Sequence, residues 1–191
     1  MPAATTPSSP TALPAFRPAC SLGRLVLGPA LLTLAVTLLR LILEGVRAPA
    51  WLASREAGGQ GALIGIAWLP LLFGPWFAAR LRRPGDSSWA LLKRLLKTLV
   101  VYGWSARAPV VVITFFALGF GWDTHFNKFG PANKPIDLPV AISGTLGAQL
   151  IFWSVIWTPI VGGLAGLVFH WFTRGNVARA GGSLDRPLEA A

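Results

Sequence analysis

Apolar residues fall into four long runs, divided by short polar interruptions. None of the runs shows the strict alternation of a strand or the one-sided stripe of a soluble helix. The first reaches from Leu25 to Leu43 and predicts a helix over 24–45. The second, Gly61 to Ala79, holds 19 residues without a charge and stops at Arg80, Arg82 and Arg83. The third, Thr98 to Trp122, is interrupted by Arg107 and Pro109. The fourth lies within Leu138–Thr173, 36 positions lacking Asp, Glu, Lys and Arg. That is too long for one perpendicular helix, so a break is expected around Pro139, Gly144 and Gly147, with the crossing over 148–172. A bilayer core of about 30 Å needs roughly 20 apolar residues of helix. The expected fold is therefore all-α, an integral membrane bundle of four transmembrane helices over about 24–45, 61–79, 98–122 and 148–172. Pro70, Pro75 and Pro159 are expected to kink their helices, because proline lacks the N–H that would continue the ladder.

The polar stretches set the threading. After Pro84-Gly85, Asp86 or Ser87 is placed to cap a helix. On that helix Lys93, Arg94 and Lys97 take one side, and Trp89, Leu92, Leu95, Leu96 and Leu99 the other. This predicts an interfacial amphipathic helix lying on an anionic leaflet and leading into the third span. Arg82, Arg83, Lys93, Arg94 and Lys97 are its candidate anionic-lipid contacts, although a basic loop needs no more than the positive-inside rule to explain it. With four crossings, the side holding both termini and the 80–97 loop carries eleven Lys and Arg, against four on the other side. Both termini are therefore expected in the cytoplasm, with a bacterial inner membrane as the setting. Residues 1–21 form an expected disordered, Pro-rich cytoplasmic N-terminus, 22–173 the transmembrane domain, and 174–191 a polar cytoplasmic tail. The loops leave no room for a separate soluble domain.

Composition agrees. The 191 residues are 53% hydrophobic and only 13% charged, with a mean hydropathy of +0.58. A net charge of +10 would suit nucleic acid, but the basic residues alternate with apolar spans instead of forming one stripe, so no nucleic-acid partner is expected. The single cysteine, Cys20, excludes an intrachain disulfide and any multi-cysteine metal site.

Polar residues inside the apolar runs carry the candidate chemistry. Thr33, Thr37, Arg40 and Glu44 recur at i, i+4, i+7 and i+11, which lines one helix face and pairs Arg40 with Glu44. Arg107 has two readings. If the third run crosses whole, its guanidinium starts near mid-depth and needs a bundle partner, such as Gln149 or a carbonyl freed by a proline. If the helix dips only after Ala108, Arg107 snorkels to the headgroups. Arg107, Arg40, Glu44, Thr37 and Gln149 form the candidate intramembrane polar site. Gly61/Gly65 and Gly162/Gly166 are candidate close-packing pairs. Asp123 and His125, with Asp137 more distant, could ligate a metal or move a proton, but they are too few to close a tetrahedral shell or define a reaction. No catalytic residue, metal or cofactor is assigned.

The leading expectation is a non-enzymatic multi-pass protein in the lipid bilayer, acting through helix association with a second copy or a membrane-protein partner. The alternative is a conduit or transporter for a small or anionic solute, using Arg107, Arg40 and the Thr33/Thr37 face. A second alternative is an interfacial enzyme using Asp123 and His125.

Overall fold

The computed structural model describes residues 21–53, 63–83, 85–125 and 138–182, and among these there is helix and no strand. Helix α1, Leu22–Gly45, starts at Ser21, whose hydroxyl accepts the Arg24 N–H. Its polarity is inverted relative to a soluble helix. Leu27, Leu31, Leu38 and Ile42 are exposed, while Thr33, Thr37, Arg40 and Glu44 are buried. In lipid the leucines are the solvated face, and polar groups must find partners inside the protein.

Helix α2 is Leu69–Leu81, 13 residues and about 20 Å long. It is too short to cross a bilayer core, whereas the uncharged run over 61–79 predicted a full-length helix. Pro70 accounts for part of the difference. It sits in the first turn, where its missing N–H is no loss, and so it starts the helix instead of kinking it. Residues 63–68 reach α2 without helical structure, yet Gly65 and Ala67 are buried. The Ala67 carbonyl accepts a hydrogen bond from Trp157 Nε1 at 3.1 Å, which meets the demand that non-helical backbone at such depth be satisfied by protein. Phe73 and Phe77 of α2 pack on Tyr102 with ring centroids 5.2 and 5.7 Å away.

Helix α3, Ser88–Gly119, runs 32 residues, about 48 Å, from a cap in which the Ser87 hydroxyl accepts the Ala90 N–H. The expected interfacial helix over 88–97 is here the uninterrupted beginning of α3. Leu91, Leu95 and Leu99 are fully enclosed, so its apolar side faces protein.

The last run also differs from expectation. Helix α4, Leu138–Leu146, passes without a turn into a π-helical stretch, Gly147–Trp157, and then into α5, Thr158–Gly182. The expected break at Gly147 is thus a change of helical pitch. The hydroxyls of Ser154 and Thr158 each donate to the carbonyl five residues back, at 2.7 Å. The widened turns lie immediately ahead of Pro159, whose ring would clash with the carbonyl four residues back in an ordinary α-helix. Three helical stretches are long and apolar enough to cross a membrane: Leu22–Gly45, Ser88–Gly119 and Ile142–Thr173.

Helix α3 is the hub, touching α1, α2, the π stretch and α5. It runs parallel to α1, since Thr33 meets Tyr102 and Leu41 packs beside Val110 and Ala117. It runs antiparallel to α5, since Gln149 meets Arg107 while Gly166 meets Leu95. Two glycines allow the closest approaches. A Cβ on Gly74 would stand 2.0 Å from the Gly162 carbonyl oxygen, and one on Gly103 would stand 2.7 Å from the Ser154 carbonyl oxygen. Any side chain at either position would force helices apart.

Candidate functional site

Along the α1–α3 seam the polar stripe of α1 is used from end to end. Thr33 bonds the Tyr102 hydroxyl at 2.8 Å and donates to the Pro29 carbonyl, which proline at that position does not itself disturb. One turn on, Thr37 donates to the Thr33 carbonyl at 2.8 Å. Then the stripe becomes ionic. Arg40 Nε donates to Glu44 Oε1 at 2.8 Å, and both side chains are buried, Glu44 completely. A buried carboxylate of this kind is costly unless its lone pairs are filled. The chain fills them from beyond α3: the His125 N–H donates to Glu44 Oε2 at 3.0 Å, and His125 Nδ1 stands 2.5 Å from Glu44 Oε1. Glu44 is therefore shared between its own helix and the segment that leaves α3.

That segment turns back because Gly121 takes a positive φ of 62°, which brings Trp122, Asp123 and Thr124 over the end of α1. Together with Leu41, Ile42, Glu44, Gly45 and Arg47 they line an open cleft of about 520 Å³. The Thr124 hydroxyl is buried and finds no hydrogen-bond partner among the described residues. His125 lies just outside the helices, and burial holds its pKa below the ordinary imidazole value. Arg40 adds to that depression, while Glu44 opposes both. The contact sets the imidazole directly against the Glu44 carboxylate at the mouth of the cleft.

The second polar centre is on the other side of α3. Arg107 is 4% exposed, its Nη1 donates to Gln149 Oε1 at 3.2 Å, and its guanidinium lies 4.9 Å over the Trp153 ring. Of the two placements open to it, the protein surrounds Arg107 with side chains. Its partner is Gln149, while Ser105, whose carbonyl Pro109 leaves free, sends its own hydroxyl to Val101. The π stretch carries both Gln149 and Trp153 to this position, and Trp104 Nε1 fastens it to α3 through the Leu150 carbonyl at 3.0 Å.

The predicted site residues thus divide. Thr37, Arg40 and Glu44 lie in one centre, and Arg107 with Gln149 in another, with the Thr33–Tyr102 bond between α1 and α3. His125 joins the first centre, Asp123 lines its cleft, and Asp137 falls outside the described residues. Gly162 and Gly166 pack on Gly74, Leu99 and Leu95 of this same chain. Gly65 lies ahead of α2, and its expected partner Gly61 is outside the described residues. Of the basic set, Arg94 pairs with Asp86, Lys93 lies 5.3 Å from the Trp89 ring centroid, and Arg83 and Lys97 are exposed. Arg82 is half-buried at the end of α2. Sequence reasoning missed Tyr102, Trp153 and Thr124. An aromatic in an apolar run carries no sign of whether it faces lipid or a hydroxyl, and a threonine beside two titratable residues draws no notice.

Groups of three or more potential metal ligands are absent among the described residues. The chain matches no protein-family model, no curated protein and no solved structure.

Proposed function

We propose that this is a four-crossing membrane protein that takes up a small polar solute at the cleft beside Glu44, with proton exchange at His125 linked to occupancy. The carrying observation is the enclosed Glu44 carboxylate, held by Arg40 and His125 at the wall of an open cleft. Ionisable groups inside membrane bundles are costly and mark solute and proton paths by default. The buried Arg107–Gln149 pair is a second polar centre, apart from the cleft. Helix association is the weaker reading, because the Gly162/Gly166 pair on which it leaned is already occupied by Gly74 within the chain. In this reading the second crossing is made by residues 63–68 together with α2, both termini and the 80–97 turn are cytoplasmic, and the cleft faces outward in a bacterial inner membrane.

Two experiments test it. Protein in lipid nanodiscs is screened by thermal shift against small zwitterions, amines and organic acids, with Glu44→Gln and Asp123→Asn alongside wild type. A hit that both variants lose supports the cleft, whereas hits that persist in both, or a stable oligomer with no hits, would remove it. For threading, single cysteines are placed in a Cys20→Ala background. Those at Ser54 and Asn133 should react with an impermeant reagent in intact cells and one at Ser88 should not, and the reverse pattern inverts the orientation.

A further inference from the structure

Away from the cleft, at the opposite end of the bundle, the close contact of α2 with α5 ends beyond Gly166. There Ala78 and Ala79 face Phe169, His170 and Thr173 across a notch of about 190 Å³, whose lining Arg82 completes. Two successive alanines on α2 leave this space, and larger side chains would fill it. Arg82 brings a cation to its lining, and His170, which also lines it, is 5% exposed although the next two residues, Trp171 and Phe172, are the exposed aromatics of that turn. The Thr173 hydroxyl donates to the Phe169 carbonyl at 2.9 Å, so it offers a ligand only its oxygen.

The surroundings point the same way. Arg80, Arg82 and Arg83 fall within four positions, and Asp86, the acid of this turn, is engaged by Arg94 and by the Arg83 N–H at 2.7 Å. Arg80 lies over Trp76 at 4.6 Å, the posture of a cation at a membrane interface. At the notch Phe169 presents apolar surface suited to acyl chains, not to water. Basic pockets between helices at such an end hold lipid headgroups.

We propose that the α2–α5 notch binds the phosphate-bearing headgroup of an anionic phospholipid, with Arg82 donating to the phosphate and Phe169 making the first contact with the chains. The site is independent of the cleft reading. It tethers α2, a helix of 13 residues, at the end away from its buried lead-in.

Full-length protein in mild detergent is titrated with phosphatidylglycerol, or with phosphatidylcholine of the same chains, and bound lipid is counted by native mass spectrometry. Phosphatidylglycerol should be retained preferentially. Arg82→Gln should weaken that retention about five- to tenfold. Ala79→Leu, at an exposed position, should block it without altering charge, and Arg24→Gln, a surface cation on α1, should leave it unchanged. Equal retention of the two lipids, or undiminished phosphatidylglycerol binding in Arg82→Gln, would overturn the proposal. So would saturable binding of inorganic phosphate that displaces the lipid, since the notch would then be a free-phosphate site.

Discussion

The α2–α5 contact and the α1–α3 seam are built in opposite ways. The first is dry and made of nothing: Gly74, Gly162 and Gly166 let backbone meet backbone, and aromatic rings of α2 fill the space toward α3. The second is threaded by polar groups, with two threonines, a tyrosine, an arginine, a glutamate and a histidine closing on one another. The difference teaches where each half is fragile. A dry contact fails when an atom is added, and an ionic one fails when a partner is taken away.

The largest effect is expected at Glu44. Glu44→Leu takes a buried carboxylate partner from both Arg40 and His125 and should destabilise the fold by about 3–5 kcal/mol. The double variant Arg40→Met/Glu44→Leu should recover part of that loss, because an apolar pair of similar volume carries no desolvation cost while the His125 N–H still loses its acceptor. Unfolding of both in detergent by a denaturant series measures it, and a double variant no better than the single one would show that the pair is not a closed unit. Next comes Gly74→Ala, which drives a methyl into the Gly162 carbonyl. Its cost should lie near or above the upper end of the ~1–3 kcal/mol range for overpacking. Gly28→Ala, with open space around its Cβ position, should be neutral or slightly stabilising on the same assay.

Arg107→Leu should change stability little. It removes a charge whose insertion costs about 2.5–3.5 kcal/mol, and it leaves Gln149 without its donor at about 1–3 kcal/mol, so the two effects nearly offset. Thermal midpoints within a few degrees of wild type check it. The smallest effect is on pH. His125 titrates below its unfolded value near 6.5, so the unfolded chain binds more protons between the two pKa values. Stability is therefore complete above that value and falls as pH drops through the window, and His125→Asn should flatten the profile of thermal midpoint against pH.

The α1 stripe was legible because polar residues at helical spacing in an apolar run have one face to share. Its partners were not. His125 is 81 positions from Glu44, and nothing local announces that a loop will return to a helix end. The length of α2 was hidden by its composition, since 61–79 is uniformly apolar, and hydropathy measures the company a residue keeps, not its backbone conformation. Pro70 was visible, but a proline that kinks and a proline that begins a helix look alike until the preceding residues are placed. The π stretch left only the step of five between Gln149 and Ser154, followed by four to Thr158, which departs from a regular helical face too slightly to be read ahead of the structure. The Gly162/Gly166 pair was legible as a motif, whereas the lone Gly74 that it receives was not.

The brevity of α2 also bears on how the chain is made. A 13-residue helix with an unwound lead-in has too little apolar length to partition into a bilayer by itself, and its exposed carbonyls would weigh against it. Its shelter comes from α5: Gly162 and Gly166 receive its backbone, and Trp157 takes up the Ala67 carbonyl. These residues are synthesised some ninety positions later. On the proposed reading, in which α2 and its lead-in make the second crossing, that crossing is completed only after the π stretch and α5 have been made.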